Sequence, residues 1–240
     1  MKVLLVNGSP HEHGCTDRAL REAAAALEAR GIATETVWVG SGSVPGCIAC
    51  GACRKTGKCV FDDLVNRVSA RLEEFDGFLF GTPVYYGGPS GQILSFMNRL
   101  FYSSAGKLAG KPVSAVVSCR RGGASAAFQQ MNMHFMMTNM IIVTSQYWNQ
   151  VHGNTPEEVA RDAEGLQTMR TLAENMAFLL RSIEAGKKAG VPAPSYEPKQ
   201  MTNFIRCITQ RRPDPGRRCF TRWRRLPRPP PPLCAWPWPW

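Results

Sequence analysis

The sequence predicts an α/β fold: a five-stranded parallel sheet in the order 2-1-3-4-5, with helices on both faces. Three observations carry this. Short apolar runs alternate with segments of helical period across residues 2–185. The runs at 2–7, 77–80 and 112–117 each end in a Gly-bearing loop that leads into a helical segment. The chain has 240 residues, 44% apolar and 20% charged, which suits one globular domain with a sizeable core and an appendage. Parallel strands need crossovers, and helical crossovers cover both faces of the sheet. Their right-handedness limits the strand orders open to five strands.

Each element has its own reason. Residues 2–7, Lys-Val-Leu-Leu-Val-Asn, form an apolar run of strand length. Residues 16–29 read as a helix, with Ala19, Leu20, Ala23, Ala24 and Leu27 on one side, Asp17 in the first turn and Gly31 closing it. Residues 33–39 alternate as the second strand. Residues 62–74 read as a helix and 77–80 as the third strand, followed by a loop over 81–88. Residues 90–102 are helical, and 112–117 form the fourth strand. After a loop over 118–123, residues 124–138 form a Met-rich helix. Its Met131, Met133, His134, Met136 and Met137 read as packing groups, because Met at helical spacing fills irregular gaps. Residues 140–144 are the fifth strand. Residues 156–185 close the fold as one long helix, with Thr155 as its N-cap.

The organisation that follows is a domain over 1–186, an extended arm over 187–206 and a tail over 207–240. The tail carries eight Arg and one Asp and ends in Pro-Trp-Pro-Trp. Its proline run forbids helix, and no core-forming period survives. It reads as a disordered, shifted-frame or vector-derived extension; the rival reading is a basic tail that binds nucleic acid or a partner. Net charge is +11 for the whole chain but only +4 for residues 1–206. The charge is therefore no argument for a nucleic-acid partner of the body. No apolar run approaches the roughly 18–20 residues of a membrane helix, and no secretory pattern opens the chain. The expected compartment is the cytoplasm.

In a parallel sheet of this order, ligands bind beyond the carboxyl ends of the strands, at the switch point. The loop Gly8-Ser9-Pro10-His11-Glu12-His13-Gly14-Cys15-Thr16 runs from a strand into a helix. Helix-start amides are free donors, and the dipole favours an anion there. Ser9 and Thr16 add hydroxyls, while Gly8 and Gly14 permit close approach. The spacing matches neither a Walker loop nor G-x-G-x-x-G. The loop after the third strand carries Pro83, Val84, Tyr85, Tyr86 and Gly87, two aromatics able to line a flat ring. The loop after the fourth carries Ser118, Cys119, Arg120, Arg121, Gly122 and Gly123, with cations to offset a reduced ring or a phosphate. Trp148, Asn149 and His152 follow the fifth strand, either at the mouth of the site or as a surface loop.

Nine Cys is many for a chain expected in a reducing compartment, and four of them cluster: Cys47-x2-Cys50-x2-Cys53-x5-Cys59. Clustered thiols there suggest metal or redox chemistry before disulfides. The C-x2-C-x2-C turn points three thiolates at one cubane, so the spacing favours a [4Fe–4S] cluster over zinc. Ile48, Ala49 and Ala52 would supply a partly dry wall. The bland reading is a set of free thiols.

Gly8-Ser9-Pro10 through Thr16, with Thr82-Pro83-Val84-Tyr85-Tyr86, resembles the NADPH-dependent FMN reductase and iron-sulfur flavoprotein group, over about residues 1–206. The resemblance implies a flavodoxin-like fold and FMN as cofactor. It puts the phosphate on the first loop, the isoalloxazine along the second and its pyrimidine side at the third. The FMN residues so implied are Ser9, His11, Gly14, Cys15, Thr16, Pro83, Val84, Tyr85, Tyr86, Gly87, Arg120, Arg121, Gly122 and Gly123. His11 stands where the group usually has a stronger cation, and Cys15 where it usually has Asn; both keep hydrogen-bonding ability. The flavin would carry the hydride chemistry itself, so no catalytic side chain is assigned. The expected function is NAD(P)H-driven reduction of a flavin, quinone or similar acceptor. The alternative is an iron-sulfur flavoprotein that passes electrons between ferredoxin and FMN through Cys47, Cys50, Cys53 and Cys59. Either implies a homodimer or homotetramer, with NADPH or NADH as a transient donor.

Overall fold

The computed structural model describes residues 1–198 and 200. In chain order the elements are β1 (Lys2–Asn7), α1 (Cys15–Ala29), β2 (Ala33–Trp38), α2 (Ala52–Thr56) and α3 (Leu64–Arg71). Then come a 3-10 turn at Leu72–Glu74, β3 (Gly77–Tyr85), β4 (Gly88–Pro89), α4 (Gly91–Leu108) and β5 (Pro112–Cys119). The unit ends with α5 (Ala124–Met137), β6 (Ile141–Ile142), β7 (Gln150–His152), α6 (Pro156–Val159) and α7 (Ala163–Lys188). The parallel path runs β2-β1-β3-β5-β6. Counting the five expected strands alone, this is the order 2-1-3-4-5. The short β4 pairs antiparallel with β3, and β7 pairs parallel with β5.

Period-two alternation in β1 sorts its side chains onto two cores. Leu4 and Val6 face a core with Phe78, Phe80 and residues of α3, α4 and α5 such as Val68, Phe96 and Phe135. Val3 and Leu5 face the other, with Leu79, Val116 and the buried sides of α1 and α7. Both faces are dry, so the central strands read as continuous apolar runs. Gly81 lets α1 close on the sheet: a Cβ there would lie 2.7 Å from Leu20 Cδ1 and Thr16 Cγ2.

Several boundaries differ from expectation, each for a physical reason. The expected loop over 81–88 is mostly strand, because Thr82 and Pro83 still pair with Val117 and Ser118 of β5. The chain then reverses at Tyr86 and Gly87, with φ of 49° and 77°. Two left-handed residues make the tight turn that suits the twist of paired strands. The fifth strand is split rather than continuous over 140–144. The Ser114 hydroxyl donates to the Val143 carbonyl at 2.8 Å, and Asn149 Nδ2 donates to Ser114 Oγ at 2.7 Å. Residues 144–149 leave the sheet across this bridge, and β7 resumes pairing beside Val117–Cys119.

The long last helix is broken between Val159 and Ala163, where the Asp162 carboxylate accepts from the amides of Gly165 and His152. The helix expected over 62–74 is α3 followed by the 3-10 turn, with Asp63 capping through the Val65 amide. Of the methionines read as packing, Met131 is buried, but Met133, Met136 and Met137 are exposed. His134 holds Asn98 Oδ1 at 2.7 Å and meets the Phe101 ring edge-on.

Helix α7 runs two residues into the expected arm; residues 189–198 and 200 carry no helix or strand. The tail over 207–240 lies outside the described residues. No described helix is long and apolar enough to cross a membrane.

Phe80 is fully buried and touches the rings of Phe78, Phe101 and Phe135, with centroids 5.4 to 6.4 Å away. Phe80→Ala therefore leaves a cavity in the aromatic core and lowers stability by about 3–5 kcal/mol. Urea unfolding followed by circular dichroism reads this as a lower midpoint at unchanged slope.

Candidate functional site

At the carboxyl end of β1, the chain enters a loop that is tied down on every side. Asn7 is buried, and both ends of its amide are used: Nδ2 donates to Glu12 O at 2.9 Å, and Oδ1 accepts from Ser9 N at 3.0 Å. Trp38, at the end of β2, donates its indole N–H to Ser9 O at 2.7 Å. Ser90 donates to Gly8 O at 2.6 Å, and the Gly8 amide donates to Gly81 O at 2.9 Å. Ser9 Oγ accepts from His11 N at 3.1 Å. The loop is thus preformed by groups from β1, β2, β3 and α4.

This loop delivers the start of α1 into a cleft of about 790 Å3, within the range of small-molecule sites. Gly14 takes the N-cap position and offers no side chain, whereas α3, α4 and α7 are capped by Asp63, Ser90 and Asp162. The first amides of α1 therefore have no side-chain acceptor, and the positive end of the helix opens on the cleft. Thr16, almost wholly buried, shares a 2.8 Å hydrogen bond with Ser118 of β5. A phosphate fits this arrangement, because it supplies the acceptor that the helix end lacks.

Ser9, His11, Gly14, Cys15, Thr16, Pro83, Val84, Tyr85 and Arg120 all line this cleft. Tyr86, Gly87, Arg121, Gly122 and Gly123 do not. Tyr86 and Gly87 form the hairpin tip, with the Tyr86 side chain in solvent. Arg121 and Gly122 are exposed beyond the rim. Gly123, at φ +90°, packs on Gly87: a Cβ there would lie 2.9 Å from Gly87 Cα and Val84 Cγ1.

The cleft has a fourth wall that the sequence reading missed, formed by Gly153, Asn154, Thr155 and Pro156. It follows β7, and Asn-Thr-Pro ahead of acidic residues was the available signal for a helix start at the same sheet edge. Cys15 Sγ lies 3.7 Å from Gly153 O on this wall. Of the residues after the fifth strand, Asn149 is buried, with its amide on Ser114 Oγ. The Trp148 ring packs at a tilt against Tyr147, with centroids 4.9 Å apart, and His152 Nδ1 lies 3.5 Å from the Cys119 thiol.

The cleft is kept free of thiolate charge. Burial pushes the Cys15 thiol up, and Glu158 and Glu157 add to the rise. Burial likewise raises Cys119. Tyr85 is raised by burial and by Cys15. These three groups stay protonated at neutral pH, so they add no negative charge to the cleft.

The four clustered cysteines converge elsewhere. Cys47, Cys50, Cys53 and Cys59 line one small pocket with Ile48, Val60 and Phe61. Cys47 and Cys50 are exposed, and Cys53 and Cys59 half-buried. Left-handed residues Ala49, Gly51 and Gly57 fold the segment around α2. Ala49 and Ala52, expected in the wall, do not line the pocket. Among the described residues no three His, Cys, Asp or Glu side chains are arranged to hold a single metal ion. Four soft thiolates around a partly apolar pocket suit a cluster, which takes one thiolate at each iron and so needs them spread apart.

The profile of the NADPH-dependent FMN reductase family matches residues 1–155. An iron-sulfur flavoprotein of Methanocaldococcus jannaschii is 32% identical over 194 residues, covering 77% of this chain and 100% of the relative. One of Methanosarcina thermophila is 28% identical over 192 residues, covering 78% of this chain and 99% of the relative. Among solved structures, a flavodoxin from the domain Archaea superposes with a TM-score of 0.52 at 14% identity, covering 75% of this chain and 99% of that one. That likeness shows the flavodoxin-like fold.

Two outcomes test the cleft. Asn7→Ala removes two of the braces of the first loop and weakens FMN binding by roughly tenfold, from the ~1–3 kcal/mol cost of unmade buried hydrogen bonds. Quenching of free FMN fluorescence measures it, with the unfolding midpoint as control. Cys15 and Cys119, held protonated, alkylate with iodoacetamide more slowly than the exposed Cys47 and Cys50 at pH 8 and gain rate only at higher pH. Peptide mapping by mass spectrometry gives the order.

Proposed function

The chain belongs to the NADPH-dependent FMN reductase family, and we propose that it binds FMN with the phosphate on the open end of α1 and the ring between the second and third loops. It is an FMN-dependent, NAD(P)H-driven oxidoreductase. The single observation that supports this placement is the uncapped start of α1, opening on a cleft whose floor loop is braced by Asn7, Trp38 and Ser90.

When bound, FMN supplies hydride acceptance and one- or two-electron release. The chain's own residues bind and orient it. The amides of Cys15 and Thr16, with the hydroxyls of Ser9 and Thr16, hold the phosphate. Pro83, Val84 and Tyr85 form an apolar and aromatic wall for the ring. Arg120 offsets negative charge at the ring edge or on the phosphate of a nicotinamide donor. The protonated thiols of Cys15 and Cys119 add no charge to oppose either.

A second reading is favoured by the shared pocket of the four cysteines. The curated relatives are named iron-sulfur flavoproteins, and a [4Fe–4S] cluster on Cys47, Cys50, Cys53 and Cys59 would give the flavin a one-electron partner. On this reading a carrier such as ferredoxin exchanges electrons with the protein. The first reading needs only a small-molecule acceptor, a quinone or free flavin. Both place the protein in the cytoplasm as a homodimer or homotetramer.

Anaerobic purification with an absorption spectrum and metal analysis tests both. The protein is yellow, and NADPH bleaches it; protein that stays colourless after FMN is added overturns the placement. About four iron atoms per chain support the second reading, and flavin without iron after reconstitution removes it.

A further inference from the structure

Arg99 lies in the middle of α4, flanked by Phe96, Met97, Leu100 and Phe101, all buried. Its own side chain is wholly buried. Arg is almost never buried unless each of its charges and donors is met. Here all five guanidinium N–H groups have acceptors. Nη1 donates to Asp63 Oδ2 at 2.7 Å and to Pro45 O at 3.3 Å. Nη2 donates to Asp63 Oδ1 at 2.8 Å and to Phe61 O at 3.1 Å. Nε donates to Cys59 Sγ at 3.2 Å. The guanidinium carbon also lies over the Phe61 ring, 5.0 Å from its centroid.

These partners share one property: they bracket the cysteine segment. Pro45 stands two residues before Cys47, and Phe61 and Asp63 stand just after Cys59. One buried cation thus pins both ends of the segment and touches the last of its four sulfurs. Asn66 adds a second bracket, donating Nδ2 to Cys59 O and accepting from Cys59 N, both at 2.9 Å. The first turn of α2 and the exposed Cys47 and Cys50 then hang between fixed ends.

We propose that Arg99 is a positioning residue for the iron-sulfur centre: it holds the cysteine segment ready for the cluster, and its Nε–H···Sγ bond at Cys59 raises the cluster's reduction potential. The proposal rests on the cluster reading above. Preordering four ligands lowers the entropy to be lost when iron binds. Reduction adds one electron and makes the thiolate sulfurs richer in charge. A hydrogen bond to one of them favours the reduced state, because hydrogen bonds to the sulfurs help set the potential. Asp63 balances the guanidinium charge, so the effect comes from the directed N–H rather than from net charge.

The test uses the full chain, reconstituted anaerobically with iron and sulfide. Arg99→Met alone strands Asp63, so the main variant is Arg99→Met with Asp63→Asn, which is neutral and keeps an oxygen for the Val65 amide. Arg99→Lys keeps the charge without the planar fork. FMN content and the unfolding midpoint report the fold. The double variant is expected to keep FMN, to take up iron several-fold less well, and to exchange amide hydrogens over residues 45–61 faster.

The iron it does hold is expected to titrate, by electron paramagnetic resonance, at a potential lower by about 59 mV or more, a tenfold change for a one-electron couple. Arg99→Lys is expected to recover iron uptake in part but not the potential. Unchanged iron uptake and potential in the double variant, with wild-type protein holding its cluster, overturn the proposal; so does loss of iron with an unshifted potential. Should the double variant not fold, Arg99→Lys decides alone, with a wild-type potential overturning it. Wild-type protein that takes no iron removes the cluster reading itself, and the proposal with it.

Discussion

The carbonyl of Gly8 turns inward where the chain leaves the sheet, and it finds a donor there in the hydroxyl of Ser90. A buried carbonyl without a donor is costly, so this contact fixes where two loops and a helix can lie. Ser90 also caps α4 by accepting from the Ile93 amide, and its own amide donates to Thr82 Oγ1. One residue thus ties the end of β1, the end of β3 and the start of α4 into a single unit. The loop at Gly8–Thr16, the hairpin after β3 and the helix that carries Arg99 all take their positions from it.

The start of α1 and the surroundings of Arg99 are built on opposite rules. Around the α1 end, protein acceptors are withheld, and the free amides await an acceptor from outside. Around Arg99, every donor is met from within, and the surrounding backbone loses its freedom. The first rule makes a place where an anion gains hydrogen bonds on arrival. The second makes a rigid frame from which exposed thiols project. Helix α4 runs from one region to the other: Ser90 caps its start and Arg99 sits two and a half turns along, roughly 13 Å by helical rise.

How much of this could be read from the sequence depends on what each residue signals locally. The strands β1, β3 and β5 were legible because both their faces are dry and their apolar runs unbroken. β6 falls within the fifth strand expected at 140–144, but β7 was not legible, because the strand is interrupted at Ser114 and Asn149, whose bridge spans 35 residues of chain. The missing β7 hid the wall at Gly153–Pro156. The loop at Gly8–Thr16 was legible because glycines and hydroxyls before a helix have one common use. Tyr86, Arg121 and Gly122 lie outside the cleft lining, and a loop's composition does not say which of its residues faces inward. Arg99 went unread as a lone cation on a helix, although the apolar residues on both sides of it marked a buried face. What made it tolerable there, the carboxylate of Asp63 and the carbonyls of Pro45 and Phe61, is distant in the chain.

The split at β6 and β7 also shapes how copies of this molecule can meet. A long exposed edge strand invites another chain to extend the sheet and leads to uncontrolled association. Here the outer margin beyond β5 consists of two stubs, Ile141–Ile142 and Gln150–His152, separated by an excursion that leaves the sheet. A neighbouring strand finds no continuous ladder to join on that side. Among the described residues, sheet growth is therefore blunted at this margin.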